Sequence, residues 1–316
     1  MSTTAKYELL RDQTAEVEGH TLHRIRALRD FGNVKAGDIG GYVESEANLS
    51  HDGECWVSSD AKVYGKAHVG ADAKVSGNAR ISGNATVFGR ALIGADARVE
   101  GKARVRDKAR VFGNAQIHDD AMVYGKAKIE GNAQVYGNAR VRDNATVCGN
   151  AVIWHSATVS ENAQVSGDAR VEGKARVRDK AQVGSNAWVG GNARISDNAR
   201  VFDNAQIYDD AMVYGKAKIE GNAQVYGNAR VWGKAGVREH AHVFDNAQVS
   251  GWARIEGKAR VGGDAWIGGN AVLLDGEHKT AAILHAQSDD LQTHAAALLD
   301  RATDQDAADA APAPGM

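Results

Sequence analysis

The sequence predicts an all-β fold: a single-chain parallel β-solenoid with three-sided coils. Three observations carry that prediction. Alanine occupies every sixth position from Ala61 to Ala271, and an aliphatic residue follows two places after each, from Val63 to Leu273, giving 36 pairs without exception. Glycine is abundant (36 residues) and proline almost missing (2 residues), which suits strands separated by tight corners and penalises any residue that removes a ladder N–H. Long internal duplications recur at offsets divisible by 18: residues 111–141 return at 201–231 with two changes, Gly113 to Asp203 and His118 to Tyr208, and VEGKARVRDKA begins at both Val99 and Val171.

Each hexad has a simple physical reading. Side chains alternate sides along a strand, so alanine and the aliphatic residue share the inward face while the residues beside them point outward. The next two positions hold Gly or Asp, then Asn, Asp or Lys, which are turn formers because glycine takes positive φ freely and Asn or Asp tolerate it. A duplication that keeps every face in place must span whole coils. Offsets of 90 and 72 residues both fit an 18-residue coil, and 90 does not fit a 12-residue one. A flat two-sided coil stays open at this point, because Tyr64, Phe88, Phe112, Tyr124 and Tyr136 follow multiples of 12 and a shorter match from Val165 to Val249 has offset 84. With three sides the 36 hexads make 12 coils, a rod roughly 55–60 Å long at about 4.8 Å per coil.

The ends depart from the rule. Residues 1–56 read as an N-terminal β cap, with a strand at Tyr7 to Leu10 and a hairpin from Glu16 to Leu28 turning at Gly19. Residues 57–276 are the solenoid. Residues 277–301 place Leu284, Leu291, Ala295 and Leu298 at helical spacing, which predicts a short C-terminal helical cap. Residues 302–316 are acidic and alanine-rich with Pro312 and Pro314, the composition of a disordered tail. Both caps would cover open solenoid ends that otherwise recruit strands.

Composition narrows the function classes. The net charge of −2 gives no overall basic field for nucleic acid or an anionic membrane. Cys55 and Cys148 match no metal spacing and no disulfide framework. The first dozen residues lack an apolar signal core, and no apolar run approaches the roughly 18 residues that span a bilayer. A cytoplasmic, soluble protein is the expectation.

The hexad Val135-Tyr136-Gly137-Asn138-Ala139-Arg140 resembles the repeat of left-handed β-helix, or hexapeptide-repeat, proteins. The left-handed winding is implied by that resemblance. The entry block from Ala36-Gly37-Asp38-Ile39-Gly40-Gly41-Tyr42 through Ala47-Asn48-Leu49-Ser50 to Trp56 resembles the opening of YdcK-type β-solenoid proteins, a family labelled acyl- or acetyltransferase by fold analogy. Acyltransferases of the hexapeptide class work as trimers, with acyl-CoA between neighbouring solenoids and a histidine as general base.

Tested against that template, the sequence offers little chemistry. No insertion interrupts Ala61 to Leu273, so no projecting loop walls off a substrate. His118 and His155 are the candidates for a general base, His155 replacing the usual corner Gly or Asp after Trp154. Trp266 and Gly268, within Trp266-Ile267-Gly268-Gly269-Asn270-Ala271, are similar to a segment near the CoA site of sugar O-acetyltransferases. They are the cofactor-binding candidates. His240 and His242 make at most two ligands for a metal, so no metal site is expected. The outward positions mix Arg, Lys and Gln with aromatics and acids, the pattern of a solvated wall or of a face that contacts protein or glycan. The function expected is a non-catalytic scaffold or binding solenoid, monomer or homotrimer, without cofactor, nucleic acid or membrane. The alternative is a CoA-dependent acyltransferase using acetyl-CoA.

Overall fold

The computed structural model describes residues 5–279 and 282–284. Its strands are short, mostly two residues each, and they stack into three parallel sheets that form the sides of the rod. Along the chain they follow in strict rotation. The first face starts its hexads with Lys62–Val63 and Arg80–Ile81, the second with His68–Val69 and Thr86–Val87, and the third with Trp56–Val57 and Lys74–Val75. Partners lie 18 residues apart, as in Lys62 with Arg80, His68 with Thr86 and Trp56 with Lys74. That register settles the coil as three-sided. The aromatics spaced by multiples of 12 are scattered over different faces: Tyr64 and Tyr136 on the first, Phe88 and Tyr124 on the second, Phe112 on the third.

The second and third faces each contain 13 strands, so the rod has about 13 turns instead of the 12 counted from the hexads. The surplus comes from both ends. Trp56–Val57 already pairs in register ahead of Ala61, and Glu277–His278 and Ala282–Leu284 continue two sheets beyond Leu273. The expected helix therefore does not begin at 277. The last coil is shortened there, pairing Arg260 with Glu277 and Trp266 with Ala282, and these residues gain more from completing the ladder than from helical spacing. The rest of the expected helix and the tail lie outside the described residues. Among the described residues no helix is long and apolar enough to cross a membrane.

Every hexad alanine from Ala61 to Ala265 and nearly every aliphatic partner is fully buried, forming one continuous core along the axis. Alanine sits immediately after each corner, where opposing walls converge, and the aliphatic residue fills mid-side. The corner residue takes positive φ throughout, for example 66° at Gly65, 62° at Asp107 and 53° at His155. Corners also stack by side chain. Asn114 donates to Asn132 at 3.0 Å and Asn132 to Asn150 at 2.9 Å. Asp107, Asp119 and Asp245 each accept the corner N–H of the next coil at 3.0 Å. These ladders explain the Asn and Asp preference: each links one coil to the next without leaving the corner.

The N-terminal cap is an antiparallel extension of the first face. β1 (Tyr7–Val17) and β2 (His20–Ala27) form a hairpin, with an irregularity between Leu10 and Thr14. The strand expected at Tyr7 to Leu10 and the first arm of the expected hairpin are thus one strand. β3 (Ile39–Val43) pairs antiparallel with β2 on one side and parallel with Lys62–Val63 on the other, converting hairpin to solenoid. Gly40 and Gly41 allow that junction. A Cβ on Gly40 would lie 2.5 Å from Ile25, and one on Gly41 2.5 Å from the Ala61 carbonyl oxygen. Beneath the hairpin the Lys6 ammonium is fully buried, donating to the Cys55 carbonyl at 3.0 Å and reaching Cys55 Sγ at 3.1 Å. Burial pushes the Cys55 thiol up despite that ammonium.

Candidate ligand-binding face

The first face carries two outward columns, one before and one after each inward aliphatic residue. Stacking at 18-residue register turns scattered aromatics into a stripe. His118 lies flat on Tyr136, ring centroids 4.8 Å apart, and Tyr136 meets Trp154 edge-on at 5.5 Å. Farther along, Tyr208 stacks on Tyr226 at 5.0 Å and Tyr226 on Phe244 at 5.4 Å. Between the two runs the stripe breaks. The column that holds Trp154 continues as Glu172 and Gly190, while Trp188 rises from the neighbouring column. Gly190 makes room for it, since a Cβ there would meet the Trp188 ring at 3.2 Å.

The break forms a trough of about 690 Å³ lined by Trp154, Arg170, Glu172, Trp188 and Gln206, with Asp168 and Asn186 at its corner side. Trp154 and Trp188 stand two coils apart, about 9.6 Å at the strand spacing. Their indoles flank a polar floor. Trp188 Nε1–H donates to Glu172 Oε1 at 2.8 Å, fixing ring and carboxylate together. Trp154 Nε1–H is buried without a hydrogen-bond partner among the described residues. Rings offer an apolar face, while carboxylate, guanidinium and amide offer planar donors and acceptors; together these recognise a ligand that is apolar on one side and hydroxyl-rich at its edges.

The histidines expected as bases fall beside this trough. His155 occupies the exposed corner next to Trp154, their rings 4.9 Å apart. His118 lies two coils below, its Nδ1 3.4 Å from the Asp119 carboxylate. His118 and His155 thus share one edge of the first face. Trp266 and Gly268 do not join them. They belong to one strand of the second face near the far end of the rod, where Trp266 Nε1–H donates to Ser250 Oγ at 3.3 Å. His242 lies on the first face, its Nδ1 buried without a partner and its pKa lowered by burial and by Arg260 and His240. No group of three or more metal-capable side chains gathers among the described residues.

Sequence reasoning placed no weight on Arg170, Glu172 and Trp188. Writing the chain in rows of 18 sets Trp154, Glu172 and Gly190 in one column and Arg170, Trp188 and Gln206 in the next.

Seven windows match the family model of the YdcK β-solenoid repeat: residues 73–89, 79–95, 133–149, 163–179, 193–205, 205–221 and 223–239. These windows lie within the hexad region and mark part of it as similar to the YdcK β-solenoid repeat. No curated protein matches it. Among solved structures, a UDP-N-acetylglucosamine acyltransferase from Arabidopsis is similar over 63% of this chain and 66% of its own, with 14% identity and a TM-score of 0.33. One from Francisella novicida is similar over 64% and 66%, with 14% identity and a TM-score of 0.26. The similarity takes in just under two thirds of the length of either enzyme.

Proposed function

We propose that the protein is a rigid, non-catalytic binding solenoid whose first face takes a glycan chain at the Trp154–Trp188 trough. The observation that carries this reading is the trough itself: two indoles about two coils apart across a floor of Arg170, Glu172 and Gln206. A sugar ring stacks its C–H face on an indole and turns its hydroxyls toward planar polar groups. The rod supports such a site because every rung beneath it is locked by the buried alanine and aliphatic rows, so little order must be created on binding.

The test is binding of neutral oligosaccharides to the purified protein and to two variants, Trp188→Ala and Trp154→Ala. Saturable binding weakened about tenfold or more in each variant is expected, the size of a lost aromatic anchor. Binding unaltered by both substitutions would place the ligand elsewhere. The alternative, an acetyl-CoA-dependent acyltransferase, has one residue-level support: His155 is exposed at the corner beside Trp154. It requires a second protomer to wall the site, because no loop projects from the hexads between residues 61 and 273.

A further inference from the structure

We propose a second site, independent of the trough: the edge between the second and third faces is a cationic track that binds an acidic polysaccharide lengthwise. Along this edge lies a groove of about 600 Å³ whose lining contains Lys180, Arg200, Lys216 and Lys218, four amide side chains, and no acid. Among the described residues no ion pair engages any of these four cations. Arg200 meets neutral groups, donating from Nε to Gln182 Oε1 at 3.0 Å and lying 5.9 Å from the Phe202 ring centroid.

The groove is the middle of a longer feature. Its lining comes from two adjacent outward columns, the last corner position of the second face and the first strand position of the third. In the corner column Arg90, Lys108 and Lys126 precede the groove and Lys234 follows it, with no Asp or Glu between Arg90 and Lys234. In the strand column Arg110 and Lys128 precede and Arg254 follows, with no acid between Lys74 and Arg254. From Arg90 to Arg254 the two columns thus hold eleven Lys and Arg residues and no Asp or Glu, in a chain whose net charge is −2. Acids do stand in the adjoining positive-φ corner column, but Asp107, Asp143, Asp179 and Asp197 each accept a backbone N–H from the next coil, and Glu161 hydrogen-bonds Asp179. The charges of the track add along its length, so a linear polyanion gains at every coil what a single small anion gains once.

The chemistry of the lining selects among polyanions. Gln164 and Gln182 offer both donor and acceptor to hydroxyls, while lysine and arginine take carboxylate or sulfate. No aromatic side chain lines the groove, so unpaired bases would find no stacking platform. Within the groove Lys180 and Lys216 stand two coils apart, about 9.6 Å. That spacing suits a polymer bearing acid on alternate sugars.

The probe is a defined heparin oligosaccharide, titrated into the full chain at low salt beside neutral dextran and single-stranded DNA of equal charge. The variant Lys180→Gln/Lys216→Gln/Lys218→Gln removes charge from the track. Lys66→Gln/Lys102→Gln/Lys174→Gln removes the same charge from the exposed corner between the first and second faces. Heparin binding that weakens about tenfold or more in the track variant, less than about twofold in the control, and falls with added salt is expected. Equal loss in both variants, no binding by the unaltered protein, or tighter binding of DNA than of heparin would overturn the assignment. Melting of both variants at the temperature of the unaltered protein excludes unfolding as the cause of any loss.

Discussion

The solenoid and its N-terminal cap solve the same problem by opposite means. In the solenoid, stability is spread over identical small units: one buried alanine, one buried aliphatic residue and one corner per hexad. In the cap, stability is concentrated in contacts made once. The Lys6 ammonium sits among the carbonyl oxygens of Asp52, Gly53 and Cys55, and the Tyr7 hydroxyl donates to the Leu49 carbonyl at 2.7 Å. Asn48 Nδ2 donates to the carbonyls of Gly65 and Ala67 at 3.0 and 2.8 Å, sewing the cap to the first full coil. The difference teaches where each region is vulnerable. A repeat tolerates small losses because neighbouring coils share the load, whereas a cap loses its function with one polar partner.

The largest expected effect breaks the repeat from within. Val165 is fully buried, and Val165→Asp places an unpaired charge in the core, costing about 4 kcal/mol or more. Circular dichroism should show a loss of β structure and a lowered melting temperature. An unchanged melt would contradict the inward assignment. In the cap, Lys6→Met leaves the buried Cys55 carbonyl and the partly buried carbonyls of Asp52 and Gly53 short of a donor, and a loss of about 1–3 kcal/mol is expected in denaturant unfolding. A fully neutral result would show that these carbonyls find other partners.

Smaller effects sharpen the contrast. Burial, together with a hydrogen bond and like charge from Asp179, raises the Glu161 carboxyl to about 7 from its ordinary 4.5. The folded chain then holds a proton that the unfolded chain has released, so this group's stabilisation is present below about pH 4.5 and is lost as pH rises through about 7. Glu161→Gln should raise the melting temperature at pH 8 relative to the unaltered protein and flatten its decline between pH 5 and 7. An undiminished decline would assign the pH dependence to other groups. Least of all, Asn132→Ala removes two exposed ladder bonds and should cost about 0.5–1 kcal/mol. An unfolded variant would mean the ladders are essential and not merely supportive.

The solenoid was legible because its constraint is inward and repeated. Each alanine and aliphatic residue meets the same steric demand, and duplications carried the 18-residue register in plain sight. The two-sided signal fell away because the aromatics spaced by multiples of 12 stand on different faces, as Phe112 and Tyr136 do. The cap was legible only as a hairpin. Nothing in its local pattern announces that Lys6 is buried or that β3 joins an antiparallel hairpin to a parallel sheet, since both depend on residues 13 or more positions away. The trough was hidden for the same reason. Trp154 and Trp188 become neighbours across Arg170 only when the chain is wound, and a stripe that breaks at Glu172 reads along the sequence as ordinary surface variation.

The central claim is that this rod binds a glycan on its first face and performs no acyl transfer. Paired calorimetric titrations test it most directly, one with a neutral oligosaccharide that the protein retains and one with acetyl-CoA, at a concentration where the oligomeric state has been determined. The expected result is saturable heat with the oligosaccharide, abolished by Trp188→Ala, and none with acetyl-CoA. Saturable acetyl-CoA binding that His155→Ala removes would contradict the claim and make the protein an enzyme of the exposed corner histidine.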